Sequence, residues 1–448
     1  NQKITVSSPN VTATAKGTVG GFIGRYELNA KVEQKFPTCV EITEPVLQIN
    51  QTSSEVGYIG GYFGVLSLTG NTTYTIGNLE QSIALHVTMK HSDNIRAYGA
   101  IIGYAVGDGV ANGIIVKKID IKSDYCGETR KDARYHGGII GELGASGNAS
   151  SAVYLETDNV NVTDTNPYAY EDNETKRRTY WCAFGGIIGL SAKGSISKIS
   201  NVTLNTGNGE ISKGGGIVGY AEESSVIELS GETDFSKVRY AKYWSAAQIV
   251  GGQESALIYA KGDGNGNGWT LKRASKDYAS QNNDIGNYGH VIRLKAENTQ
   301  TGLSTDLLQI DETTHQIRIK NPSTDTNFLD GATIYNTDDF ALFSIAWNTH
   351  GAFEIGGVTT ANYTNLQTQP ITLEGDVDLT GTGITGISRD SQQDKMVYSG
   401  VLNGNNHTIT LALGEKFGLR DGQQIAEDED GDGKIYPYKW GEVYSHTD

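Results

Sequence analysis

The sequence has very little cysteine, proline and methionine. Its 448 residues include three cysteines, seven prolines and two methionines. Three cysteines are too few for a disulfide framework or for a four-ligand zinc site built on cysteine. No apolar run approaches the roughly 18 residues of a membrane-spanning helix, so we expect no membrane insertion within this segment.

Basic residues are also scarce. The chain has 36 Lys and Arg against 52 Asp and Glu, for a formal net charge of -16. So acidic a chain repels phosphate backbones, and we therefore expect no nucleic-acid partner. The 57 glycines follow no strict period of three, which excludes collagen, and the ordinary apolar content excludes a disordered chain.

The abundant glycines instead recur in a five-residue word. We call these words the glycine words; they are 20–24, 60–64, 99–103, 137–141, 185–189 and 215–219, with a decayed copy at 247–251. Their last residues are 30 to 48 positions apart, a spacing typical of solenoids and propellers. Each word looks like one strand, and two short β-branched stretches follow most copies. Three strands per copy favour a parallel β-solenoid over a propeller, which needs four.

The glycine words, followed by strands rich in Ser and Asn, resemble the GLUG repeats of large bacterial surface proteins. The resemblance covers about residues 15 to 255. It implies an all-β, right-handed parallel β-helix, exported to the cell surface as part of an adhesin-like protein.

The repeats end before residue 301, and a second unit follows. The segments 371–379 and 398–409 look like the opening coils of a pectate-lyase-like β-helix, and an apolar stretch near 343–347 suggests a short helix or cap. We therefore expect residues 1–325 to form the β-helix of GLUG-like repeats. Residues 326–448 are expected to form a cap, or the truncated entry of a second β-helix-like unit.

Long connections before several glycine words are rich in aromatic and basic residues, and stacking should align them along one edge. Such residues can hold sugars or peptides. An aromatic ladder that only covers the coil edge is the alternative, and catalysis is a third interpretation. The candidate ligand-binding residues are Tyr135, Tyr168, Tyr170, Arg177, Arg178, Tyr180, Trp181, Arg239, Tyr240, Tyr243 and Trp244.

Three smaller features have two interpretations each. Cys126 and Cys182 lie in neighbouring connections and could form a disulfide or remain free thiols. Asp428, Asp430 and Asp432 resemble the first half of a calcium loop, although a solvated acidic linker is the alternative; calcium is the one cofactor suggested. Asn-x-Ser/Thr sequons such as that of Asn201 suit left-handed strand corners better than glycosylation.

Enzyme motifs do not occur as complete sets. The words Arg318-Ile319-Lys320 and Asn336-Thr337-Asp338 resemble pieces of polygalacturonase signatures, but they stand in a different order. We therefore expect a non-enzymatic, extracellular, cell-surface β-helix that binds glycan or a host or cell-surface protein through the aromatic and basic edge. A polysaccharide lyase or hydrolase and a structural spacer are the alternatives.

Overall fold

The computed structural model describes residues 3 to 411 with internal gaps. The gaps are 8–9, 16, 30–38, 44–45, 52–56, 78–82, 92–94, 128–134, 165–182, 208, 210, 212–213, 241–245, 264, 274–290, 298, 300, 324–326 and 385–397. The architecture is a parallel β-helix, as predicted from the repeats. Every strand pair of its three large sheets is parallel, and each strand pairs with its equivalent in the next coil.

Strands are numbered in chain order. The long sheet contains β1 Lys3–Ser7, β2 Asn10–Ala15, β5 Cys39–Thr43, β6 Val46–Gln51, β9 Thr73–Gly77, β10 Ile83–His91, β13 Gly113–Gly127, β16 Tyr154–Asp164, β19 Ile196–Asn205, β22 Val226–Lys237, β24 Leu257–Ala260, β25 Thr270–Lys272 and β26 Ile292–Arg293. The first short sheet contains β3 Val19–Gly20, β7 Gly57–Gly60, β11 Ile95–Gly99, β14 Tyr135–Gly137, β17 Ala183–Gly185, β20 Gly214–Gly215 and β23 Ala246–Ala247. The second short sheet contains β4 Ile23–Asn29, β8 Phe63–Thr69, β12 Ile102–Gly107, β15 Ile140–Leu143, β18 Ile188–Ser191 and β21 Val218–Ala221.

The predicted division of the chain into one strand per glycine word is wrong. Each of the six complete glycine words contributes to two strands, because the chain turns in its middle: β14 ends at Gly137 and β15 begins at Ile140. The two apolar stretches that follow were expected to be separate strands. They are separate in the coils before β13, as in β9 and β10, whereas in β13, β16, β19 and β22 they join into one long strand, which in β16 bends at Asn159. Three strands per coil therefore occur where the long strand is continuous.

The bend recurs at one left-handed residue in successive coils. Lys118, Asn159, Asn201 and Gly231 have φ of 51°, 54°, 50° and 62°. The register places Lys118 beside Asn159 and Asn159 beside Asn201. Asparagine and glycine tolerate this conformation better than other residues, so the predicted use of Asn at strand corners is confirmed here.

The Asn201 side chain also connects three coils. Its Nδ2 donates to Asp158 Oδ1 at 2.9 Å in the preceding coil, and its Oδ1 accepts from the Glu232 amide at 3.1 Å in the next one. The corner is therefore held by side-chain hydrogen bonds in addition to the sheet ladder.

The centre of each glycine word carries the core. Ile101, Ile139, Ile187, Ile217 and Ile249 are fully buried, and each of the first four amides donates to the carbonyl of the next residue in the series at 2.9–3.0 Å. Branched side chains thus stack on their equivalents one coil away, which is the packing predicted for the Ile-Ile pairs.

Beyond the solenoid lies a unit with short parallel sheets and one helix. An antiparallel hairpin, β27 Leu308–Ile310 and β28 Ile317–Ile319, precedes it. The predicted helix is confirmed as α1 Thr337–Asn348, and short 3₁₀ turns lie at Ala149–Ser151, Phe328–Asp330 and Tyr363–Thr368. The parallel strands are β29 Ala332–Ile334, β30 Ile371–Leu373 and β32 Leu402–Asn403 in one sheet, and β31 Val377–Asp378 and β33 Ile409–Thr410 in the other.

This unit packs against the outside of the long sheet. Tyr154, Ile196, Val226 and Leu257, which stand in one row of that sheet, share a core with α1. The same core includes Leu303, Leu307 and Leu308, which come before the predicted boundary at 325/326. Side-chain packing therefore crosses that boundary, and the division of the chain at 325/326 stays a prediction.

Candidate functional site

Only part of the predicted aromatic and basic edge falls in the described chain. Tyr135 begins β14 and is half-buried, and Arg239 is also half-buried. Tyr240 is 5% exposed, belongs to the solenoid core, and donates its hydroxyl to the Gln248 carbonyl at 3.4 Å, so it covers the coil interior. The remaining candidates lie outside the described residues; they are Tyr168, Tyr170, Arg177, Arg178, Tyr180, Trp181, Tyr243 and Trp244.

The predicted calcium and disulfide positions fall outside the described part as well. Asp428, Asp430 and Asp432 are not described, nor are Cys182 and the Cys126 side chain. Within the residues that are described, no group of three or more His, Cys, Asp or Glu could hold a metal ion. No helix of the described part is long and apolar enough to cross a membrane.

Two tyrosines from different coils stack where the two short sheets meet. Tyr58 lies on β7 and Tyr104 on β12; their ring centroids are 4.5 Å apart and the ring planes differ by 15°. Both side chains are half-buried, and neither belongs to the solenoid core. The contact between the two rings therefore lies on the outer side of the coils. Both tyrosines are next to glycine words, Tyr58 before one and Tyr104 after the next.

An arginine–glutamate pair adjoins the two rings. Arg96 Nε and Nη2 donate to Glu142 at 2.7 and 2.8 Å, a two-bond geometry that fixes the guanidinium plane. Glu142 is completely buried, whereas the Arg96 side chain remains 31% exposed. We call Tyr58, Arg96, Tyr104, Tyr135 and Glu142 the tyrosine–arginine notch.

A β-bulge places Arg96 in the notch. Ile95 pairs with Gly57 and Ala97 with Tyr58, so Arg96 is the extra residue of its strand. A bulge re-aims the side chain of the inserted residue. In the second short sheet, Tyr104 pairs with Glu142. Each of these two residues directly follows the last glycine of its own glycine word. The notch is therefore built from positions that flank the glycine words in three successive coils.

The surroundings of Tyr58, Tyr104 and Arg96 each favour one protonation state. Burial, and then the negative charge of Glu142, raise the pKa of Tyr58 and of Tyr104, so both phenols stay neutral hydrogen-bond donors. The hydrogen bond to Glu142 raises the pKa of Arg96, which remains a cation. In the first short sheet, Tyr135 pairs with Ala97, the residue after Arg96, so the predicted Tyr135 stands one coil away from the strand that carries this cation.

Most notch residues were missed by the sequence analysis, which followed the long connections. Of the five, only Tyr135 was predicted. A signal was nevertheless present, because Tyr58 stands two residues before a glycine word and Tyr104 and Glu142 follow directly after one. Aromatic or charged residues at such flanking positions face outward, which the alternation of a single strand does not reveal.

A second pair of ionisable groups lies inside the solenoid. His136 Nε2 is 2.9 Å from Asp164 Oδ2, and both side chains are at most 1% exposed. The imidazole lies between Tyr98 and Phe184, with ring centroids 4.5 and 4.9 Å away. Because solvent and ligands do not reach this pair, we assign it to the core rather than to a surface site.

Comparison of the chain with protein family models, curated proteins and solved structures finds no match in any of the three.

Proposed function

We propose that this chain is a non-enzymatic, adhesin-like β-helix of an extracellular bacterial surface protein, and that it binds a glycan or a host or cell-surface protein. The observation that carries the proposal is the stacked pair Tyr58 and Tyr104 with the Arg96 cation beside it. The resemblance of the glycine words to GLUG repeats supports the surface location.

The chemistry of the notch favours binding by stacking and hydrogen bonds. Aromatic faces pack against the apolar faces of sugar rings, while phenol and guanidinium groups donate to hydroxyl, carboxylate or sulfate oxygens. Glu142 is already bonded to Arg96, so the notch has no second carboxylate for acid–base hydrolysis. This supports binding over the hydrolase part of the runner-up, a polysaccharide lyase or hydrolase.

The rigid scaffold supports the same role. Coils that are locked by sheet ladders hold side chains from three turns in fixed relative positions, so a ligand meets a surface that needs little ordering. The Arg96 guanidinium has further N–H donors beyond the two that bind Glu142, and these are suited to anionic or polar ligand groups.

The test is an array of glycans and matrix proteins probed with the full chain, beside the double variant Tyr58→Ala/Tyr104→Ala. We expect a specific hit whose binding falls at least tenfold in the variant, with the fold checked by circular dichroism. Tyr335→Ala, a 44% exposed tyrosine outside the notch, is the matched control and should retain the hit.

The predicted long-connection edge needs its own variant. Trp181→Ala/Trp244→Ala should abolish ligand binding without unfolding the solenoid if those residues belong to the binding surface. Unfolding would assign them to the core. A blank array from folded wild-type protein would contradict the binding function and favour the spacer; polysaccharide cleavage would favour the enzyme.

A further inference from the structure

The first coil of the solenoid, which consists of β1 to β4, lies at the end of the three large sheets. Each of its strands pairs with one other described strand: β1 with β5, β2 with β6, β3 with β7 and β4 with β8. The opposite edge of each strand therefore has no partner strand in the described part of the chain. Such an edge presents a row of backbone N–H and C=O groups that can pair with another chain.

The glycine words show that the place beside β4 is open. A Cβ at Gly64 would lie 2.5 Å from the Gly24 carbonyl oxygen, and the same contact recurs at 2.7 Å from Gly103 to Gly64 and at 2.6 Å from Gly141 to Gly103. Gly24 has the equivalent position in the first coil, but the nearest atom to its Cβ would be the Thr18 carbonyl oxygen at 3.8 Å. The position that a preceding coil would fill is therefore open, and glycine there allows another backbone to approach closely.

Apolar side chains of the first coil are more exposed than their equivalents in the second coil. Phe22 and Ile23 are partly buried, whereas Tyr62 and Phe63, at the same positions one coil further on, are 2% and 1% exposed. Tyr26 is also partly buried and stacks on Phe63, with ring centroids 5.8 Å apart. The stacked core therefore ends at these residues with apolar area that a further layer would cover.

The exposed side chains of β4 carry opposite charges on either side of Tyr26. Arg25 Nε donates to Glu27 Oε1 at 2.8 Å, and the two side chains are 64% and 66% exposed. If two copies pair their β4 edges antiparallel about a two-fold axis at Tyr26, Arg25 of each copy stands opposite Glu27 of the other, and such cross-strand pairs attract. An axis at Arg25 or at Glu27 would oppose like charges, so the charges select one register.

We propose that the first coil is a homodimerisation surface, at which two copies of this chain meet with their first coils facing and their β4 strands paired antiparallel about Tyr26. The contact closes after two copies, because a two-fold interface uses the same edge of both. It pairs backbone groups of that edge and covers Phe22 and Ile23. The surface is separate from the tyrosine–arginine notch, so dimerisation does not depend on what the notch binds.

The test is sedimentation velocity of the full chain over a series of concentrations, combined with charge reversal. We expect the wild type to shift from monomer to dimer as the concentration rises. Arg25→Glu or Glu27→Arg alone places like charges opposite each other, and each should weaken the dimer by about tenfold or more. The double variant Arg25→Glu/Glu27→Arg restores opposite charges and should dimerise like the wild type.

A mixture of the two single variants tests the two-fold register directly. In a dimer of one Arg25→Glu chain and one Glu27→Arg chain, both cross-strand pairs again have opposite charges, so the mixture should dimerise more strongly than either variant alone. Glu232→Lys is the matched control, because it reverses one charge of an exposed ion pair with Lys272 in a later coil. It should dimerise like the wild type, and so should Tyr58→Ala/Tyr104→Ala.

Four results would overturn the proposal. A wild-type chain that stays monomeric at every concentration is one, and growth into longer species, which would indicate head-to-tail stacking, is another. A dimer that tolerates both single reversals would assign the contact to another surface, and loss without recovery in the double variant or the mixture would reject the register. Arg25 and Glu27 are exposed, so these variants should fold, which circular dichroism checks. Unfolding measured below the dissociation constant of the dimer reports on the monomer alone.

Discussion

The substitution Gly141→Ala tests whether the glycine words allow neighbouring coils to pack closely. A Cβ at this position would lie 2.6 Å from the Gly103 carbonyl oxygen and 2.6 Å from the Tyr98 carbonyl oxygen. Both oxygens belong to the backbone of the preceding coil, so neither can rotate away as a flexible side chain could. The coils must separate by several tenths of an ångström, against the hydrogen-bond ladder.

The magnitude follows from overpacking. An inserted methyl in a tight core typically costs about 1–3 kcal/mol, and backbone contacts on two sides place Gly141→Ala near the upper end, at about 3 kcal/mol. Gly24 holds the same place in the first word, and a Cβ there would meet its nearest atom at 3.8 Å. Gly24→Ala should therefore change the free energy of unfolding by no more than about 0.5 kcal/mol.

Urea unfolding followed by far-UV circular dichroism measures both variants against the wild type. We expect a clearly lower urea midpoint for Gly141→Ala and an unchanged midpoint for Gly24→Ala. Equal midpoints for the two variants would refute the steric argument, because close approach of the coils would then not be the reason for glycine at these positions.

Three further predictions concern single side chains. Arg96→Ala leaves the buried Glu142 charge without its partner and should lower the free energy of unfolding by on the order of 3 kcal/mol in urea titration. Asp164→Ala removes the partner of the buried His136 and should cost a similar amount, on the order of 3 kcal/mol, measured by thermal unfolding. Asn201→Ala places an alanine at φ of 50° and removes two inter-coil hydrogen bonds, so we expect a loss of about 1–3 kcal/mol.

Each of these has a control. Arg25→Ala breaks an exposed ion pair with Glu27 and should cost under about 1 kcal/mol; a loss as large as that of Arg96→Ala would contradict the role of burial. Asp164→Asn should recover part of the loss of the alanine variant. Asn201→Gly should recover the conformational part, and no recovery would mean that the left-handed corner is not the cause.

The coarse fold was predictable because its causes are local and repeated. Glycine pairs at regular spacing and branched residues after them indicate close coils and stacked cores, and Asn201 carries the signature of a left-handed corner. The division into strands was not predictable, since a turn inside a glycine word and a bend inside a long strand look alike in sequence. The hydrogen bonds between neighbouring coils decide whether the chain continues as one strand through a bend or ends one strand and begins another at a turn.

The candidate site was predictable only in kind. The sequence predicted an aromatic and basic outer surface, and Tyr135 does lie in the notch, whereas Tyr240 from the same prediction is a core residue. Whether a tyrosine faces outward depends on which sheet its strand joins and where the chain turns. That information lies in the pairing of coils and not in the residues next to the tyrosine.

The repeat, the β class and the stacked core follow from the residues alone, because glycine sterics and β-branching act at each position separately. The tyrosine–arginine notch, in contrast, arises from tertiary packing. Arg96 and Glu142 are 46 residues apart, and a one-residue bulge places them in contact. Contacts of this kind depend on register and docking, which no single segment encodes.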